Sequence, residues 1–421
     1  MRVLIVNTSE RVGGAAIAAS RLMEALNNNG IKAKMLVRDK QTDHQAVIAL
    51  DKSWLHALKF VWERFRIWMA NGFHRYRLFE HDLANVGTDI TKLPEFQEAD
   101  VIHLHWINQG FLSLSDIRKI AQSGKPMVWT MHDMWPFTGT CHYSGECEKY
   151  KTECRHCPLL YGGGSAKDIS NQVFKKKKSL LNEAHIHFVA CSRWLEGLAQ
   201  QSKLLQGQDI CNIPNAINTK LFHPKDKMAA REKLHLPQDK KLLLFGSLKI
   251  TDKRKGVDYL VDACRSIQEN YPDLRQELAI VTMGHEGEAM KDMFTFPLYS
   301  LDYVYQERDL VDVYNAVDLY VTPSLQDNLP NTIVEAMACG VPCVGFNVGG
   351  IPQMIDHLHN GYVAEYKNAQ DFANGIHWAL KEDDYKSLSE WATRKAVDSY
   401  SESRVAALYN QIYNKVTGKN G

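Results

Sequence analysis

The chain has 421 residues, 45% of them hydrophobic, with 50 basic against 49 acidic side chains. A net charge of +1 removes the electrostatic reason to expect a nucleic-acid partner, and no apolar run approaches the ~20 residues that span a bilayer. The start, "MRVLIVNTSE", has no apolar core followed by a small-residue cleavage site. The expectation is a cytoplasmic globular protein of two or three domains, its nine cysteines serving as thiols or metal ligands rather than a disulfide framework.

Short apolar runs alternate with helical patterns, the signature of parallel sheets with crossover helices. "RVLIVN", "KAKMLV", "VIHLHW", "PMVWTMH" and "HFVACS" read as buried strands of a first doubly wound domain. Gly13 and Gly14 open the helix after the first strand, where bare backbone lets a ligand approach; a plain glycine turn explains them equally well. The segment Ser53 to Phe79 mixes aromatics with Arg and His, and "FKKKKSLL" (Phe174 to Leu181) adds positive charge. Both suit an anionic membrane surface, or else a helix packed on its aromatic face with solvated lysines. "CHYSGECEKYKTECRHCP" places Cys141, Cys147, Cys154 and Cys157 in one loop. Four thiolates satisfy a tetrahedral structural zinc, with His142 or His156 as substitutes for a cysteine. Free thiols or a redox pair are the other reading.

Pro and Asn interrupt the periodicity between Asn212 and Pro224, which marks a domain seam. Beyond it "LLLFGS", "LAIVTMG", "LYVTPS" and "PCVGFN" read as strands of a second doubly wound domain, and Tyr385 to Lys415 as helices. Lys249, Lys253, Arg254 and Lys255 crowd the loop before Gly256, as a diphosphate requires; a solvated basic loop has the same look. In "SLQDNLPNTIVEAMACG" the acids Asp327 and Glu335 flank a helix start. Pro330 suits its first turn, Asn328 suits its cap, and N–H groups near Asn331 and Thr332 favour a phosphate. Carboxylates beside a phosphate pocket repel it unless they grip hydroxyls, which points to a sugar nucleotide. The plain alternative is one capping acid and one solvated acid.

The ordered set "VGGAA", "WTMHD", "CSRWL", "IPNAIN", "RKG", the Asp327–Glu335 pair, "EAMACGVPCV" and "NGYVAE" resembles glycosyltransferase family 4 from Gly13 to Glu365. That resemblance implies the α/β GT-B fold, two Rossmann-like domains facing a central donor cleft. Residues 1–218 would form the acceptor side, 219–398 the nucleotide-sugar side, and 399–421 a helix packing back on the first domain. It implies retaining transfer from a UDP- or GDP-sugar, with the departing phosphate helping to deprotonate a glycan or lipid-linked acceptor, in surface polysaccharide synthesis at the inner face of the membrane. No metal or other cofactor is expected for catalysis, and no D-x-D motif precedes the site. By resemblance Glu335 holds the ribose, Asp327 the donor sugar hydroxyls, Lys255 the diphosphate, Gly14 a phosphate through its backbone, and His132 lies near the transferring sugar. Where the family often has Arg, this chain has Ser247, so Arg254 or Lys249 is expected to supply that charge. Asp327 in place of the commoner Glu is a second departure. Together they keep two rivals open: a sugar-nucleotide epimerase, and a zinc-stabilised binding protein without activity.

Overall fold

A computed structural model describes residues 1–50, 53–381 and 384–418. The chain divides into two compact units, residues 1–214 with 405–421 and residues 215–404. The division falls a few residues before the boundary expected at 218, and the end of the 399–421 segment, 419–421, lies outside the described residues.

Unit 1 carries a seven-stranded parallel sheet in the order β3-β2-β1-β4-β5-β6-β7. Its strands are β1 (Arg2–Ser9), β2 (Lys32–Asp39), β3 (Val47–Ala49), β4 (Val101–Leu104), β5 (Met127–Met131), β6 (His187–Ala190) and β7 (Asp209–Asn212). Six consecutive residues of β1 are buried, as expected of a strand covered on both faces by crossover helices. Helix α1 (Gly14–Asn28) lays a small-residue face, Ala16, Ala18, Ala19 and Ala25, with Leu22 and Leu26, onto that sheet. Helix α2 (Ser53–Ala70) and helix α3 (Ile169–Glu183) follow. The buried core of the unit gathers Leu4, Val6, Leu104, Trp129, Trp135, Phe174 and Phe188.

Unit 2 repeats the design with six strands, all parallel, in the order β10-β9-β8-β11-β12-β13. These are β8 (Lys241–Lys249), β9 (Leu278–His285), β10 (Leu298–Leu301), β11 (Leu319–Thr322), β12 (Cys343–Phe346) and β13 (Gly361–Ala364). Helix α4 (Val257–Asn270) follows β8, and helix α5 (Asn331–Ala338) follows β11. In both sheets the order reverses beside the first strand, between β1 and β4 and between β8 and β11. Ligands of open α/β sheets bind outside the strand carboxyl ends at such a switch point.

Two helices, α6 (Tyr385–Tyr400) and α7 (Glu402–Thr417), end the described chain. Helix α7 packs on unit 1, where Tyr413 Oη lies 2.7 Å from His103 Nδ1 and Tyr409 Oη 2.8 Å from Thr130 Oγ1.

Candidate active site

The switch point of unit 2 is built by two loops that need glycine. Gly256 takes φ +70°, and a Cβ there would stand 2.0 Å from the Pro323 carbonyl oxygen. Gly349 takes φ +58°, and its Cβ would stand 1.7 Å from the Asp327 carbonyl oxygen. No side chain fits either place, so the β8, β11 and β12 loops close tightly on one another. The Leu325 N–H donates to the Arg254 carbonyl at 2.8 Å, completing the contact.

That closure brings Lys255 Nζ to 2.6 Å from Asp327 Oδ2, a carboxylate that Ser324 Oγ also approaches at 3.4 Å. Helix α5 begins next to it with Pro330 at the cap, no side chain capping it and no acid in its first turn. Its N-terminus therefore keeps its preference for an anion, on the order of 0.3–1 kcal/mol. Helix α4, by contrast, has Asp258 in its first turn, which works against an anion there. Thr332 Oγ1 accepts from Tyr320 Oη at 2.7 Å, and Asn331 Oδ1 accepts from the Asn215 amide at 2.9 Å. Glu335 is 5% exposed, and its Oε2 accepts from Tyr314 Oη at 2.6 Å, which fixes the carboxylate in one orientation.

In unit 1, Gly13 (φ +90°) precedes α1, which also lacks a capping side chain and any acid in its first turn; Gly13 and Gly14 are exposed. His132 follows β5. Its Nε2 lies 2.9 Å from His105 Nδ1, and its Nδ1 lies 3.6 Å from Cys191 Sγ. Burial pushes His132 down to about 4, with Asp133 pulling the other way. It stands as a neutral imidazole at neutral pH, able to donate or accept but already bonded within the unit.

Family models now decide the class. The Glycosyltransferase Family 4 model matches residues 12–221, and the Glycosyl transferases group 1 model matches residues 239–382. The chain belongs to glycosyltransferase family 4. This family 4 chain is 24% identical to the N-acetyl-alpha-D-glucosaminyl L-malate synthase of Bacillus anthracis over 83% of its own length and 84% of the relative's. It is 25% identical to the putative colanic acid biosynthesis glycosyl transferase WcaC of Escherichia coli over 64% of its length and 65% of that protein's. An uncharacterized glycosyltransferase of Haemophilus influenzae is 31% identical, but the match spans 39% of this chain and 44% of that relative. The fold is GT-B. The sucrose-phosphate synthase of Thermosynechococcus elongatus superimposes over 100% of both chains with a TM-score of 0.67 at 18% identity. Anabaena HepE follows at 0.64 and 15%, over 99% of this chain and 100% of its own.

Several groups expected of this glycosyltransferase stand in other bonds or places than foreseen. Pro330 caps α5 rather than entering it, and the Asn328 side chain does not cap. Arg254 is exposed and held by Asp252 of its own turn at 2.7 Å. Lys249 leaves along β8 to pair with Glu286 at 2.8 Å. Of the basic loop, Lys255 alone is seen paired with Asp327. Lys177, expected among solvated lysines, is buried. His142 is no substitute ligand for a cysteine: its Nδ1 lies 2.8 Å from Asp133 Oδ2 and its Nε2 2.6 Å from Asp82 Oδ2. His156 is exposed. Cys141, Cys147, Cys154 and Cys157 are free thiols around one small cavity. Among the described residues, no three His, Cys, Asp or Glu side chains already stand as a metal-holding set.

Other residues escaped the sequence reading. His105 sits beside His132, and the "HLHW" spacing at the end of β4 was its only signal. Tyr314, which orients Glu335, gave none. Helix α2 is inverted relative to an ordinary surface helix: Trp54, Leu58, Val61, Trp62 and Phe65 are exposed, while Glu63 and Arg64 are buried. Glu63 accepts the N–H groups of Leu83 and Ala84 at 2.7 and 2.8 Å, and Arg64 is paired with Asp82.

Proposed function

We propose that this chain transfers a sugar from a nucleoside-diphosphate sugar to a hydroxyl of a glycan or lipid-linked acceptor, with retention and without a catalytic metal, in surface polysaccharide synthesis. The observation that carries it is Lys255 held against Asp327 beside the acid-free start of α5. In the departing diphosphate negative charge grows, and a fixed ammonium with oriented N–H groups stabilises charge that develops late. Asp327 takes one of the three Lys255 donors and shields its own charge from the phosphates. Glu335, oriented by Tyr314, is placed to accept from ribose hydroxyls. A nucleotide-sugar donor is supported by HepE, whose structures contain UDP and glucose or UDP-glucose; a polysaccharide role is supported by the name of WcaC. Unit 1 is assigned the acceptor; the family resemblance gives the Gly14 backbone to a donor phosphate and His132 to the neighbourhood of the transferring sugar.

Calorimetry with UDP and GDP tests the donor site. Glu335→Gln is expected to weaken the cognate nucleotide by roughly 10- to 150-fold, since a hydrogen bond to a charged group contributes about 1.5–3 kcal/mol. Asp327→Asn is expected to leave the bare nucleotide bound as well or better, because it releases Lys255, and to weaken only the intact donor. Equal losses in both variants would contradict these roles.

The inverted face of α2 supports a membrane-borne acceptor. Its exposed indoles and Phe65 are accompanied by exposed Arg66, Arg75 and Arg77, with Phe73 and Phe79 also exposed. No helix among the described residues is long and apolar enough to cross a membrane, so the contact proposed is interfacial. Sedimentation with vesicles rich in phosphatidylglycerol should capture the protein, and replacing Trp62 and Phe65 by Ser should release it. Equal recovery of both forms would remove this part of the reading.

A further inference from the structure

The segment between the 3-10 turn Trp135–Phe137 and α3 runs some thirty residues with only two further 3-10 turns, Lys149–Lys151 and Tyr161–Gly163. Irregular stretches longer than about 12–15 residues are uncommon in compact domains without some device to fix them. This one places few large apolar side chains in the core, Tyr150 and Leu160 among them. Its four cysteines instead surround a cavity of about 20 Å³, shared with Thr138, Gly139, Thr140 and Ser170. That is room for one water-sized sphere or one ion.

We propose that Cys141, Cys147, Cys154 and Cys157 bind a single zinc ion as a closed tetrathiolate site that staples this loop to α3. The backbone packing around these cysteines supports it. The Leu160 N–H donates to the Cys157 carbonyl at 3.2 Å, which turns the chain tightly after that cysteine. Gly139 makes a close approach possible, since a Cβ there would stand 2.6 Å from the Ser170 carbonyl oxygen and 3.1 Å from Cys154 Cβ. Asp168 holds the same turn from below, accepting the Cys157 N–H at 2.9 Å.

Charge gives a second, independent support. Lys177 projects from α3 into this region, fully buried, bonded to the Trp135 and Thr138 carbonyls and lying 3.5 Å above the Trp135 ring. Four thiolates on a divalent ion carry a net charge of −2, which a buried cation offsets; neutral thiols offer it no charge at all. The redox alternative fits poorly, because reactive thiols are exposed and activated, whereas Cys157 is 8% exposed and Cys141 likewise 8%. With both nitrogens of His142 bonded to carboxylates, the four cysteine sulfurs are the soft donors that line the cavity, beside the hydroxyls of Thr138, Thr140, Ser144 and Ser170. Among the described residues no metal-holding group is already formed, so binding the ion would require the four cysteine side chains to converge on the cavity they share.

Metal analysis of the full chain, purified from zinc-replete medium without chelator, tests this independently of any sugar transfer. About one equivalent of zinc is expected, with Zn–S distances near 2.3 Å by X-ray absorption, and an organomercurial should release it stoichiometrically. Cys154→Ser should lose most of the zinc. Should that variant fail to fold, cobalt exchanged into the wild-type protein should show the visible bands of a tetrahedral thiolate complex. Four reactive thiols with no zinc retained after reconstitution would overturn the proposal. So would a disulfide among the four cysteines, or bound iron in place of zinc.

Discussion

Replacing Lys255 by Ala is expected to lower turnover at saturating donor by roughly 100- to 1000-fold, the effect of removing one preorganised group that stabilises developing charge. Two losses coincide in that variant. On the proposed reading the departing diphosphate loses its ammonium, and Asp327, 14% exposed at its side chain, loses its cation beside the start of α5. The backbone cannot compensate by moving, because Gly256 and Gly349 fix the two loops at contact distance. Lys249→Ala is the matched control. Its ammonium is 57% exposed and bonded to Glu286, so its loss should fall within the small range typical of surface ion pairs. If the two variants lost comparable activity, the assignment of the diphosphate to Lys255 would fail.

The second large effect expected is on stability in acid. Buried His103 and His105 and half-buried His132 form a chain in unit 1 at the ends of β4 and β5, with a 2.9 Å bond between His105 and His132. Burial, before any neighbouring charge, pushes His103 to about 3, His132 to about 4, and His105 well down. His81, buried between Thr140 and the Leu159 carbonyl, is pushed to about 4 by the same cause. A group whose folded-state pKa lies below its unfolded value near 6.5 contributes stability that is present above 6.5. That contribution is lost as pH falls through the folded value. Each such histidine contributes a slope of up to about 1.4 kcal/mol per pH unit. Glu63 opposes them: burial and then Asp82 hold it up to about 7, so folding favours its protonated form as the pH falls from there. Four histidines outweigh one carboxyl. Urea unfolding followed by tryptophan fluorescence, which reports mainly on unit 1, should show the midpoint falling steadily from pH 6.5 to 4. His103→Gln should flatten that slope by about one proton's worth, whatever it does to the absolute stability. A midpoint that held constant or rose on acidification would contradict this picture.

Central strands could be read directly from the sequence, and edge strands could not. The nine runs identified as strands include every interior strand of both sheets, each a mostly buried apolar run such as "MVWTM" or "LYVT". The four strands not foreseen are β3, β7, β10 and β13, the outermost strands of the two sheets. They are three or four residues long and partly exposed, as in "DICN", so neither period nor apolar content distinguishes them from loops. The site divides the same way. Asp327 and Glu335 stand out because they flank a recognisable helix start. The bond between Asp327 and Lys255 joins positions far apart in sequence and depends on two glycine contacts that no local pattern reveals. Within the basic loop, composition could not rank the cations. A 3-10 turn from Lys253 to Lys255 sends Arg254 outward and Lys255 inward, and that choice is conformational. His142 gave the most misleading signal: beside a cysteine it has the look of a ligand, yet Asp82 and Asp133 take both its nitrogens.

The central claim is sugar transfer from a nucleotide donor with retention, and the anomeric proton of the product reports on it most directly. The purified chain would be incubated with UDP- and GDP-sugars and a lipid-extracted acceptor fraction, without added divalent cations, and the glycosylated product examined by proton NMR. The account predicts a new glycoside with the anomeric configuration of the donor. A product of opposite configuration, or an isomerised donor with nothing transferred, would contradict it.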